Sequence, residues 1–280
     1  MPTNNSQTHH TFSRHAAPFA PLALALLMNA TPSGSPGQSS QHTGPASGVF
    51  VPACMPYNGQ KIPAIDDHCG LQGGSSDPAK QAQSKAKNNL CAATGPSQPI
   101  TYQELLDLQA KASAEKVKGL VDRSPLTKLG EGRYVEYVAF IEDAHYSDVA
   151  NGEAVNCNIP GDPTNDIHIV LVQHPSDDPC LSTTAEMTPH YRPGSWTDKN
   201  LVALKQHPVK LRGPLFYDDS HTPCSATSRP NPKRASLWEI HPLYSIQVCR
   251  LLDLDQCRNS TNASDWVALE DWSSDPNADQ

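Results

Sequence analysis

Between residues 238 and 248 the side chains alternate in character. Trp238, Ile240, Tyr244, Ile246 and Val248 are even-numbered, while Glu239, His241, Ser245 and Gln247 are odd. A repeat of two places the first set on one face of a β-strand and the second on the other. Such a strand covers a core on one side only. Pro242 offers no N–H to a ladder, so the strand must lie at an edge or bulge there.

Upstream runs share the repeat. Arg133–Ile141 aligns Val135, Tyr137, Ala139 and Ile141; Asp166–Val172 aligns Ile167, Ile169 and Leu171; Val209–Tyr217 aligns Val209, Leu211, Leu215 and Tyr217. Ala154–Asn158 reads as a short further strand, and Ser195–His207 as a short helix capped by Ser195. Three strands, a helix and two strands follow the order of an OB-fold. The expected fold is therefore mainly β: a small five-stranded OB-like barrel over residues 128–252, with one helix between strands 3 and 4. Trp238 and Tyr217 belong to its core, whereas Phe216 points the other way and is expected to be exposed.

The rest of the chain has less to bury. Hydrophobic residues make up 37% of the 280, with 26 prolines, so part of the chain cannot offset its ordering entropy. Residues 31–99, rich in Ser, Gly, Pro, Gln and Thr, read as an irregular segment tied by disulfides. A helix at about 101–121, within a 100–124 segment packing on the barrel, is announced by the Thr101/Glu104 capping box. Its expected buried face is Leu106, Ala110, Ala114, Val117 and Val121. Residues 253–280 read as an acidic, mobile tail carrying Asn259-Ser-Thr and Asn262-Ala-Ser sequons.

The eight cysteines are Cys54, Cys69, Cys91, Cys157, Cys180, Cys224, Cys249 and Cys257. None forms C-x-x-C, which disfavours a zinc ribbon or a thioredoxin motif. Three precede the barrel and five lie within or after it, so full pairing demands at least one bridge from the N-terminal segment to the rest. Cys54 and Cys69 could close a local loop worth roughly 3 kcal/mol. The apolar run Ala16–Met28, behind Arg14, is too short to span a bilayer and reads as a signal peptide over residues 1–30, cut near Ala30. The expected location is secreted or periplasmic, with no membrane span.

Two tripeptides carry the candidate chemistry. Asp166-Ile-His168 and Glu239-Ile-His241 each place an acid and an imidazole two residues apart, on the strand face turned away from the core. If strands 3 and 5 are neighbours, Asp166, His168, Glu239 and His241 form one patch able to hold a divalent metal such as zinc. The same groups suit acid–base work. Glu186, His190, Asp219 and His221 lie on connections beside it, and Arg192 and Arg212 could hold an anionic oxygen. G-x-S-x-G, Walker A, G-x-G-x-x-G and H-E-x-x-H are all absent.

Charge is distributed unevenly. Glu131–Glu186 contains eleven acids and one base, Arg192–Arg234 eight bases and three acids. The basic stretch suggests a polyanion or glycan ligand along Lys205, Lys210, Arg212, Lys233 and Arg234. The leading expectation is a secreted binding domain for an anionic ligand, a glycan or nucleic acid; the alternatives are a metal-assisted hydrolase of phosphodiesterase or nuclease type using the four-residue patch, and a structural envelope protein.

The stretch from about Gly132 to Cys249 resembles uncharacterised secreted bacterial proteins, through Asp166-Ile-His168, Gly213-Pro-Leu215 and Glu239-Ile-His241-Pro242-Leu243-Tyr-Ser-Ile246. The resemblance implies a recurring exported domain and brings no activity with it.

Overall fold

A computed structural model describes residues 60–90 and 95–272. The expected leader, Cys54 and Cys91 lie outside these residues. In chain order the elements are α1 (Pro63–Asp66), α2 (Pro78–Lys87), β1 (Gln98–Pro99), α3 (Tyr102–Glu115), α4 (Ser124–Leu129), β2 (Tyr134–Tyr146), β3 (Ile167–Val172), β4 (Thr183–Met187), α5 (Asp198–Val202), β5 (Pro208–Tyr217), β6 (Trp238–Ile240), β7 (Ser245–Cys249), α6 (Leu254–Asn259), β8 (Trp266–Ala268) and α7 (Leu269–Trp272).

Five strands close a barrel in the order β2-β3-β4-β6-β5, returning to β2. Closure depends on the length of β2, which pairs with β5 over Tyr134–Phe140 and with β3 over Phe140–Tyr146. β4 and β6 run parallel, and the other barrel pairs are antiparallel. With α5 between the third and fourth barrel strands, this is the OB-like arrangement the strand order predicts. β1 extends β2, β7 extends β5 and β8 extends β7.

The expected inward faces hold. Val135, Tyr137, Ala139, Ile141, Ile167, Ile169, Leu171, Leu211, Leu215, Tyr217, Trp238 and Ile240 are all buried in one core. At Gly213 a Cβ would stand 2.3 Å from the Pro242 carbonyl oxygen. Only glycine permits the turn after β6 to press so closely on β5.

Several local expectations are corrected. Ala154–Asn156 is a 3-10 turn and not a strand, and the third barrel strand is β4. The 238–248 run is two strands, since Pro242 ends the first ladder and β7 starts at Ser245. Thr197, not Ser195, caps α5 through Asn200 N–H. The Thr101/Glu104 capping box forms, but α3 stops at Lys116, in the left-handed region. Its inward face is Leu105, Gln109 and Ala112, while Val121 is exposed. Phe216 is buried, against His241 and beneath the Arg123 guanidinium.

Both flanking segments have more structure than their composition suggests. Residues 60–90 contain α1 and α2. After residue 253, α6, β8 and α7 follow, with Leu254 and Cys257 packed on Val138, Phe140 and Val172 of the barrel's outer face. Among the described residues three disulfides form: Cys69–Cys157, Cys180–Cys224 and Cys249–Cys257. Cys69 therefore does not close a loop with Cys54. It supplies the bridge from the N-terminal segment to the barrel that the cysteine distribution demands. Among the described residues no helix is long and apolar enough to cross a membrane.

Candidate metal centre on the covered face of the barrel

The outer face of β3, β4 and β6 carries the candidate chemistry. His168 of β3 stands in register with Glu186 of β4, and Thr184 of β4 with Glu239 of β6. Asp166 immediately precedes β3 and His241 immediately follows β6. The two tripeptides lie on either side of β4, so they are not direct strand neighbours. Glu186 of β4 joins them. It was expected on a connection, but it occupies the centre of the cluster.

All four expected residues point away from the barrel core, but none lies on open surface. Asp166, Glu186, Glu239 and His241 are buried, and His168 is nearly so. The cover is the segment holding α1 and α2. Asp77 caps α2 by accepting from the N–H groups of Ala79 and Lys80. The inward residues of that helix are polar: Gln83, Ser84 and Lys87. Gln83 donates to Asp218 Oδ1 at 2.6 Å, and Asn88 donates to the carbonyls of Leu71 and Val155. Asp66 of α1 meets His190 Nε2 at 2.7 Å, and Cys69–Cys157 fastens the segment covalently.

Beneath α2, His241 Nε2 lies 3.1 Å from Asp166 Oδ2 and 3.5 Å from Glu186 Oε2. His168 Nε2 lies 3.1 Å from Glu186 Oε1 and 3.4 Å from Glu153 Oε1. The Lys87 ammonium sits 2.5 Å from Glu186 Oε2 and 3.8 Å from Asp166 Oδ2. On the far side, Arg234 Nη1 lies 3.3 Å from Glu239 and 3.6 Å from Asp218, and His221 is 3.3 Å from Asp218. Asn156 donates to Asp166 Oδ1 at 2.9 Å.

Five carboxyl groups thus face two permanent cations, Lys87 and Arg234, and the excess negative charge moves the proton affinities. Burial alone would favour neutral Lys87, but Glu186, Glu153, Asp166 and Glu239 outweigh it and hold the ammonium charged. Burial also works against ionised Glu186, yet His168, Lys87 and His241 prevail and lower its pKa. Glu239 goes the other way. Burial, then Glu186 and Asp218, push it well above the usual carboxylate range despite Lys87 and Arg234. His168 is raised, since Glu186 and Glu153 overcome desolvation. Two neighbouring carboxyls whose proton affinities are driven in opposite directions are the kind of divergence found at functional centres.

Asp166, Glu186 and His241 each present one ligand atom, all within 4.8 Å of one another. Two carboxylates and an imidazole match the donor preferences of zinc or manganese and leave coordination positions open. Glu186 also belongs to a second group, with Asp218 and Glu239. Of the four expected ligands, Asp166 and His241 fall in the first trio and Glu239 in the second. His168 touches Glu186 from the side. The remaining neighbours lie elsewhere: His190 under α1, Asp219 accepting from Gly119 N–H, and Arg192 on the carbonyls of Asp162 and Asn165.

The five basic residues do not form one stripe. Arg234 is inside the acidic cluster, Lys233 is exposed and Lys205 is half-buried. Lys210 and Arg212 share Glu136, and Lys210 lies over the Trp266 ring at 3.7 Å. Those two do line a cavity of about 330 Å³ with Glu136, Gln247 and Trp266. A cavity of about 430 Å³ opens beside the acidic cluster, lined in part by Lys80, Gln83, Lys87, Lys118 and Glu153.

No protein-family model, no curated protein and no solved structure matches this chain.

Proposed function

We propose that this chain is an exported, metal-dependent hydrolase acting on a phosphodiester, with Asp166, Glu186 and His241 as the ligands of one divalent ion. The convergence of those three buried donors within 4.8 Å carries the reading. A divalent ion at such a site supplies a Lewis acid and lowers the pKa of bound water. The chain's own groups have complementary work. Glu153 reaches the cavity wall, and although burial opposes its ionisation, His168 and Lys87 hold it as a carboxylate, a hydrogen-bond acceptor that can orient a water. Against desolvation, Glu186 and Glu153 raise the pKa of His168, which favours an imidazolium able to steady developing negative charge. Lys80 and Lys118 on the wall of the adjoining cavity offer cations to a phosphate oxygen, beside Asp77, Glu153 and Asp219. The disulfides among the described residues agree with an oxidising compartment.

The test is hydrolysis of bis(p-nitrophenyl) phosphate by oxidatively folded protein supplied with zinc or manganese. Turnover that needs the metal and disappears in a folded His241→Ala variant supports the proposal. No turnover with either metal, or turnover that survives the substitution, refutes it.

A glycan-binding reading draws on one feature, the cavity beside Trp266, where Lys210 and Arg212 outnumber Glu136. It predicts binding of a sulfated or uronic-acid glycan that weakens with salt and is lost on Arg212→Glu.

A further inference from the structure

If a metal binds between Asp166 and Glu186, it meets a cation already there. Lys87 extends from the last turn of α2 into the cluster, and its ammonium contacts both carboxylates that the metal would use. The pairing is not a surface accident, since the lysine side chain is 9% exposed and both acids are fully buried. A lysine buried this far requires a reason, because its charge must be matched by partners where water is excluded.

How α2 is seated suggests that the reason is reversible. Of its inward residues, Gln83, Ser84 and Lys87, Gln83 and Lys87 are held by polar contacts that water can replace. No apolar side chain of α2 itself is buried; the apolar anchor of this stretch is Leu90, three residues beyond the helix. There is also open space on both sides. The cavity of about 430 Å³ lies against Gln83, Ser84 and Lys87. A second, of about 230 Å³, lies against Lys85, Ala86 and Asn88 and reaches His241. The C-terminal turn of α2 therefore bridges two cavities across the candidate centre.

We propose that Lys87 is a tethered competitor for the metal: its ammonium occupies the Asp166–Glu186 pair until a divalent ion displaces it, so metal entry and withdrawal of the last turn of α2 are one event. This rests on the metal reading above and adds to it the residue that sets the affinity. Displacement exchanges one intramolecular cation for a free divalent one. It also opens the covered face between the two cavities, giving substrate a route to the centre.

The experiment is calorimetric titration of the full, oxidised chain with zinc chloride and with manganese chloride. Wild type is compared with Lys87→Met and with Lys87→Met/His241→Ala. Removing a like charge at contact distance should tighten binding in Lys87→Met by at least ~10-fold, and the added His241→Ala should abolish it. Equal affinities in wild type and Lys87→Met would overturn the competitor role while leaving the metal centre intact. Absence of binding in both would overturn the metal reading, and the competitor with it. Should Lys87→Met not fold, hydrogen exchange on wild type decides. Amides of residues 78–87 should exchange faster when metal is bound, and unchanged protection at saturating metal would refute the displacement.

Discussion

Glu186→Gln and Glu239→Gln remove the same atoms from adjacent positions on one barrel face, yet they should differ sharply in cost. Glu186 is ionised, fully buried and 2.5 Å from Lys87, with His168 and His241 also against its oxygens. Its amide would leave the Lys87 charge without its nearest counter-ion, and breaking a buried pair in this way costs about 3–5 kcal/mol. Burial, then Glu186 and Asp218, push the pKa of Glu239 well up and so favour its neutral form. A glutamine there removes no charge, and its carbonyl still accepts from Arg234 as the carboxyl oxygen does. The expected cost is about 1 kcal/mol or less. The assay is urea unfolding at neutral pH with a chelator present, so that metal plays no part. At a slope of about 2–3 kcal/mol per molar, a gap of about 3 kcal/mol separates the midpoints by about 1 M. Midpoints within about 0.5 M of each other, or a lower one for Glu239→Gln, would refute the assignment of charge within the cluster.

Two further outcomes follow from the same structure. For Asp218, burial opposes ionisation, but Lys87, His221 and Arg234 bring its pKa down to about 2. A depressed carboxylate stabilises the fold above its unfolded value and loses that contribution as pH falls, here between about pH 4 and 2, by about 2 kcal/mol. Melting temperature against pH over that window should fall more steeply in wild type than in Asp218→Asn, and parallel curves would contradict the shift. Cys69–Cys157 closes a separation of 88 residues, so Cys69→Ser/Cys157→Ser should lose about 4–5 kcal/mol in the chain-entropy account. Proteolysis should then cut first within residues 60–90, and initial cleavage in the barrel instead would argue against that segment being the part the bridge secures.

Where apolar side chains repeat with a clear period, the sequence was readable. Val135 to Ile141, Ile167 to Leu171, Leu211 to Tyr217 and Trp238 to Ile240 all face the core as their spacing implies, and the Thr101/Glu104 box starts a helix where expected. The same period put Asp166, His168, Glu239 and His241 on the opposite side. Elements whose signal depends on a partner were not readable. α2 buries Gln83, Ser84 and Lys87, so it has no apolar stripe to betray a helix, and its sequence passes for linker. β4 is buried on both faces, through Thr184 and Glu186 as well as Ala185 and Met187, so it does not alternate in exposure. Missing β4 displaced the strand count by one, turned the chance run at Ala154 into a strand, and left Glu186 on a supposed connection. Lys87, Glu153 and Asp218 carried no local signal, because each reaches the cluster from a separate segment.

The central claim is that Asp166, Glu186 and His241 hold a divalent ion, and metal stoichiometry tests it most directly. Oxidatively folded protein is loaded with zinc, freed of excess by desalting, and measured beside Asp166→Asn/His241→Ala treated identically. The account predicts one ion per chain in the wild type and none in the folded double variant. A wild type that retains no ion, or a variant that retains as much as the wild type, would contradict it.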